Sequence, residues 1–177
     1  MELAIHNDGT WSLGKLHALE RLLLERVIDA ANPKDCSTAQ ERLFPHILGH
    51  PPVTDEEEKQ DEEWKEYVQP DLQQHFNSAL DVVAADLKTI TKKRSKHGDL
   101  FSLTVPKKHA DQWCSALNQA RLVLHERFKL PDGESPDRFL ESEDEEPDAE
   151  GKWMAMLQSE IYSHIMEFLV TRVLWLK

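Results

Sequence analysis

The sequence predicts an all-α fold: an orthogonal or antiparallel bundle of four main helices plus short helices, with at most one small two-stranded β pairing. Three observations predict it. Apolar residues step by threes and fours along Leu72, Phe76, Leu80, Val83, Leu87 and Ile90, the spacing that lines one face of a helix. The stretch from Pro106 to Leu130 carries Ala110, Trp113, Leu117, Ala120, Leu124 and Phe128 on one face and Ala116, Leu122, Val123 and Leu130 on the others, as an interior helix does. Strand-like segments amount to Glu2 to Ile5 and Leu100 to Val105, too few for more than a single pairing.

Taken in order, Glu2 to Ile5 is a short strand ended by the turn-forming Asn7-Asp8-Gly9. A first helix is expected from Ser12 to Ala31, with Leu16, Leu19, Leu23, Val27 and Ala30 on its apolar face and Asn32-Pro33 as its stop. Thr38 and Glu41 have the spacing of a capping box over a short helix at Ala39 to Phe44. Pro45, Gly49, Pro51 and Pro52 then impose irregular chain. Thr54 caps Asp55 to Tyr67, where eight carboxylates and two lysines surround Trp64 and Tyr67; this reads as a solvated helix that touches the body through its aromatics.

Pro70 suits the first position of the next helix, because its missing N–H has no helical partner there. Its six apolar residues, if fully buried at ~1.5–3 kcal/mol each, contribute at most roughly 9–18 kcal/mol before ordering entropy. Lys92 to Asp99 is a basic connection to the strand at Leu100 to Val105, which is expected to pair with Glu2 to Ile5. After the central helix, Pro131 to Gly151 reads as a long acidic loop, too polar to bury itself. The last helix, from about Lys152 to Leu176, has Trp153, Leu157, Ile161, Phe168 and Trp175 on one side and Tyr162, Met166, Leu169 and Val173 on the other.

The whole chain, residues 1–177, is expected to form a single helical domain. Its formal net charge is -12, but Asp132 to Glu150 holds ten acidic residues and one basic one, a net of -9, which leaves only -3 elsewhere. A broad affinity for nucleic acid is disfavoured, since binding a polyanion requires a basic surface. Two cysteines, Cys36 and Cys114, imply no disulfide framework. The start of the chain lacks the basic and apolar regions of a signal peptide. The most apolar run, Ile165 to Leu176, contains Glu167 and Arg172 and falls short of the ~20 residues of a membrane span. A cytoplasmic setting without membrane contact is the expectation.

Two inward charges stand out. Arg121 falls between Leu117 and Leu124 on the main face of the central helix, and Glu20 falls between Leu16 and Leu23 on the first. A buried cation requires an acid, so the two are expected to pair and to fix how their helices meet. Asp86 and Glu160 are alternative partners. The same Arg121, with Glu20, Asn118 at the edge of its face and His164 on the apolar face of the last helix, could instead line a pocket for a small anion or an acid-base reaction. His46 and His50 are four apart, yet Gly49 and the prolines beside them argue against a helix that would align two metal ligands. No metal site or cofactor is expected, and no glycine-rich phosphate loop, G-x-S-x-G elbow or Cys/His catalytic arrangement occurs. The basic residues from Lys88 to Lys96, with Lys107 and Lys108, could touch RNA or an acidic partner, but they lack interleaved aromatics and read as a solvated connection.

Trp113-Cys-Ser-Ala-Leu-Asn-Gln-Ala-Arg-Leu-Val-Leu124 resembles the W-x-x-A-L-N-x-x-R-L-x-L signature of a bacterial family known as domain of unknown function two-zero-one-seven. Glu41-Arg-Leu-Phe-Pro45 is similar to that family's R-L-x-P segment. Glu62-Glu63-Trp64 to Leu72 resembles its acidic lead into a helix, and Trp153-Met-Ala-Met-Leu-Gln158 its final helix. The sequence departs from the pattern after Leu124, where His125-Glu126-Arg127 replaces a glycine-containing helix end. The resemblance implies no reaction. Through the placement of such genes beside a Clp protease adaptor in actinobacteria, it implies a link to proteostasis. Missing catalytic motifs and abundant surface charge make a non-enzymatic interaction or regulatory module with a protein partner the leading expectation, ahead of the anion-binding protein or enzyme.

Overall fold

In a computed structural model of the chain, described over residues 1–96, 98–130 and 148–175, helices cover one face of a four-stranded antiparallel sheet. The helical body agrees with expectation, and the sheet exceeds it. β1 (Glu2–Ile5), β2 (Thr10–Leu16), β3 (Thr91–Ser95) and β4 (Gly98–Pro106) are arranged in the order β1-β2-β4-β3. The expected direct pairing of Glu2–Ile5 with the strand near Leu100 is therefore not made, because β2 lies between them. Gly9 at φ +78° completes the turn from β1 to β2, a backbone conformation that glycine adopts without steric cost.

The first helix starts later than its apolar pattern suggests. Residues 10–16 alternate as a strand, placing Trp11 and Leu13 inside; a register shift between Leu13 and Leu16, with Lys15 at φ +51°, then returns Leu16 to the buried face. Such a bulge re-aims a strand by one residue. Helix follows as α1 (Ala18–Glu25) and α2 (Val27–Ala30).

Next come α3 (Ser37–Leu43), α4 (Asp55–Tyr67) and α5 (Gln69–Leu87). Thr54 caps α4 as expected: its hydroxyl accepts from Glu57 N–H, and the Glu57 carboxylate accepts from Thr54 N–H. The capping box expected at Thr38 is absent. α3 begins two residues earlier with Cys36 in the cap position, so Thr38 lies in the first turn. Along α5 the fully buried residues are Ala79, Val83 and Asp86, while Leu72, Phe76, Leu80 and Leu87 are half-buried. The apolar stabilisation of this helix thus lies below the bound set by burying all six residues.

A 3-10 turn at Lys107–His109 leads into α6 (Ala110–Phe128), and α7 (Ala149–Phe168) continues as a π-helical turn over Leu169–Leu174. α6 is the hub: it packs against α2, α3, α5 and α7, burying Trp113, Ala116, Leu117, Ala120, Val123 and Leu124. The Trp113 ring meets the Trp11 ring of β2 edge-on, with centroids 5.5 Å apart. Polar ties complete these contacts. Gln119 donates to the Ala31 carbonyl at the end of α2, and Tyr162 on α7 donates to Leu23 O at 2.8 Å. His125, Glu126 and Arg127, the three residues that depart from the resembled helix end, contact Ser159, Arg42 and the Asn32 carbonyl respectively.

α7 buries one side rather than two. Met156, Ser159, Tyr162, Ile165 and Leu169 face inward, whereas Leu157 and Ile161 are half-buried and His164 is exposed. Most of the acidic stretch, residues 131–147, lies outside the described residues. No helix among the described residues is long and apolar enough to cross a membrane.

Candidate functional site

The structure does not gather the four residues singled out by helical periodicity. Because α1 begins at Ala18, Glu20 occupies its first turn instead of the middle of an apolar face. One Glu20 carboxylate oxygen accepts from His17 N–H at 2.8 Å and the other from the Met1 amino group at 2.9 Å. Acceptor and anion are both favoured at a helix N-terminus, where backbone N–H groups lack helical partners. Arg121 is half-buried and forms no ion pair with any described carboxylate. Its Nη1 approaches Met166 Sδ at 4.0 Å, and its buried Nε has no hydrogen-bond partner. The expected Arg121–Glu20 pair is thus replaced by two separate arrangements. Asn118, expected at the edge of its apolar face, and His164, expected on the apolar face of the last helix, are both exposed, because the buried arcs of α6 and α7 lie a fraction of a turn away.

Two buried carboxylates organise the polar interior instead. Asp86, 8% exposed near the end of α5, accepts from Trp113 Nε1 at 2.9 Å and faces His109 Nδ1 at 3.0 Å. It ties α5 to the start of the hub helix. Periodicity marked Asp86 as a possible partner for Arg121; the donors it serves are an indole and an imidazole.

The second is Asp61, 3% exposed on a helix whose other carboxylates face outward. Lys65, one turn later, reaches its Oδ2 at 2.7 Å, and His46 Nδ1 meets its Oδ1 at 2.9 Å. The Lys65 ammonium above all, followed by His46, holds the Asp61 carboxyl below the ordinary carboxylate range. An imidazole whose Nδ1 is engaged by a carboxylate is fixed in orientation, leaving Nε2 as its remaining polar atom.

His46, Lys65 and Trp64 line an open cleft of about 510 Å³ between the start of α3, the loop after it and the helices α4 and α5. Phe44, Pro45, Pro33 and Trp64 supply apolar walls, while Asn32, Gln69 and Gln73 add amides and Lys34 and Glu41 opposite charges. Phe44 also packs against Phe76 of α5 in a tilted arrangement, with centroids 5.8 Å apart. Beside the cleft, Ile47 and Leu48 are 46% and 40% exposed. Such a mixture suits a ligand with an apolar body and hydrogen-bonding groups. Among the described residues, no group of three or more His, Cys, Asp or Glu is placed to hold a metal ion.

In the sequence His46 stands out only beside His50, as a disfavoured metal pair, and Asp61 reads as one of eight carboxylates of a solvated helix. The available signal was positional: Asp61 lies three residues before Trp64, so the two share a helix face. Two of the resembled segments, Glu41–Pro45 and the one running from Glu62 to Leu72, contribute walls to this cleft.

Over residues 7–173 the chain matches the protein family described as a domain of unknown function, DUF2017. No curated protein and no solved structure matches it.

Proposed function

The chain belongs to this family, whose description assigns no activity, and on that premise we propose that it is a protein-interaction module that seats a segment of a polypeptide partner in the cleft between α3, α4 and α5. The observation that carries this reading is the composition of the cleft. Apolar walls from Phe44 and Trp64 stand beside the amides of Gln69 and Gln73, which match the alternating donors and acceptors of a main chain, and the exposed Ile47 and Leu48 directly follow the cleft residue His46 in the chain. A regulatory role linked to protein turnover, implied by the gene neighbourhood of the resembled family, is compatible with such a module.

The test is a photo-crosslinking amino acid placed at Gln73 in the cleft and, as a control, at Thr104 on the opposite face of the sheet, in cells that contain the partner. The expected result is one discrete adduct from Gln73 that disappears with Trp64→Ala. Equal adducts from both positions, or an adduct indifferent to Trp64→Ala, would refute it.

One observation favours a second reading, the binding of a small anion at Arg121. This guanidinium has no described counter-ion, and its Nε is buried without a partner. Saturable stabilisation of the wild-type protein by phosphate or citrate, lost in Arg121→Met, would support that reading; equal effects on both proteins would end it.

A further inference from the structure

One edge of the sheet offers a second surface, independent of the cleft. β3 is one of the two terminal strands in the order β1-β2-β4-β3, and β4 is its neighbouring strand. All five of its residues, Thr91 to Ser95, are exposed. The register with β4, from Thr91 opposite Ser102 to Ser95 opposite Gly98, engages only the peptide groups on the β4 side. In an antiparallel ladder the remaining N–H and C=O groups point away from the sheet, where they can receive another strand.

The side chains of this edge select the partner's charge. Lys92, Lys93 and Arg94 are consecutive, with Lys88 just before the strand and Lys96 just after it. Lys92 is neutralised by Asp99 of β4, whereas Lys93 and Arg94 make no ion pair with a described residue. Consecutive strand residues alternate between faces, so Lys93 and Arg94 put one unpaired cation on each side of the open edge. Lysines on an edge also deter pairing with other edges. That protection acts against neutral or basic strands; for an acidic one the same charges become attractive, because opposite charges directly across adjacent strands stabilise the pair.

We propose that β3 is a docking edge for an acidic polypeptide segment, which adds in extended form as a fifth strand and sets its carboxylates against Lys93 and Arg94. Main-chain hydrogen bonds supply the registry, and the charge pairs discriminate against neutral and basic segments. On a chain of net charge -12, this strip of consecutive basic residues attracts an acidic segment.

The test uses the full-length protein labelled with nitrogen-15 and a seven-residue peptide of three consecutive Glu flanked by two Val on each side, which presents carboxylates on both faces of an extended strand, titrated at low salt. A second peptide of identical charge is N-methylated at alternate residues, which removes the N–H groups facing β3. The expected result is saturable binding with amide shifts centred on residues 91–95, weakened at least tenfold by N-methylation and at least tenfold by Lys93→Glu with Arg94→Glu. Both substitutions are on exposed positions, and an unchanged melting temperature would verify that this variant is folded. Equal binding of the two peptides would reduce the interaction to general electrostatics and overturn the proposal. So would shifts centred elsewhere, no saturable binding, self-association of the chain through this edge, or tighter binding of an RNA oligonucleotide than of the peptide.

Discussion

Replacing Asp86 by alanine isolates the contribution of the buried polar contact between α5 and α6. The substitution leaves the indole N–H of Trp113, a fully buried residue, without its acceptor at 2.9 Å; an unsatisfied buried donor costs about 1–3 kcal/mol. The bond to His109 is lost as well, but that ring is one-quarter exposed, so water can replace the carboxylate and the added cost is about 0.5–1 kcal/mol, the value of a modest net hydrogen bond. The total expected is roughly 2–4 kcal/mol, a large share of the ~5–15 kcal/mol that holds a domain folded. For a chain of this size it lowers the melting temperature by about 5–15 °C. Asp86→Asn keeps one acceptor oxygen and should lose no more than about half as much. Urea denaturation followed by far-UV circular dichroism is the assay, since it does not depend on tryptophan emission. A loss below about 0.5 kcal/mol for Asp86→Ala would refute the assignment, because a buried indole N–H cannot lose its acceptor at so small a cost.

Three further outcomes follow from the same geometry. Arg121→Met should be neutral or slightly stabilising in denaturant titration, since it removes a half-buried cation that no described acid compensates; a loss of several kcal/mol would reveal a partner for the guanidinium. Because Lys65 and His46 hold the Asp61 carboxyl below its ordinary value of 3.8, the charged form stabilises the fold above the unfolded-state pKa, and that contribution is lost as pH falls through the lower folded-state value. Asp61→Asn should therefore be less stable than wild type at neutral pH, with the gap closing in strong acid; a gap independent of pH would count against the ion pair. Burial pushes the Cys114 thiol up to about 11, while the Thr38 hydroxyl holds Cys36 below its usual range. A thiol reagent at neutral pH should modify Cys36 first, as mass mapping of a partly labelled sample would show, and preferential labelling of Cys114 would contradict these environments.

Long periodic segments were legible in the sequence. α4 and its Thr54 cap, α5 with Pro70 in its first turn, and the hub position of α6 all follow from spacing and capping chemistry. β2 was hidden by its own bulge. Trp11, Leu13 and Leu16 are spaced by two and then three, and the last step merges with the leucines of α1 into an apparently continuous helix. β3 carried no period to read, because a strand exposed on both faces has no apolar alternation. The misplaced start of α1 also explains the failed pairing of Glu20: in a first turn, a glutamate serves the backbone rather than a distant cation. As for the candidate site, the cleft is assembled from segments that are far apart in sequence, and its one buried acid is camouflaged among six exposed carboxylates and the half-buried Glu57 of the cap.

The pairing of β2 with β4 joins Leu13 to Leu103, about 90 residues apart, a long-range closure of the kind that slows folding. At ~5–20 residues per second, synthesis separates those two strands by roughly 5–20 s. During that interval the nascent N-terminal hairpin has no neighbouring strand for Trp11, Leu13 and Leu16, so those apolar side chains wait for β4 and for Trp113 of α6 before they can be buried.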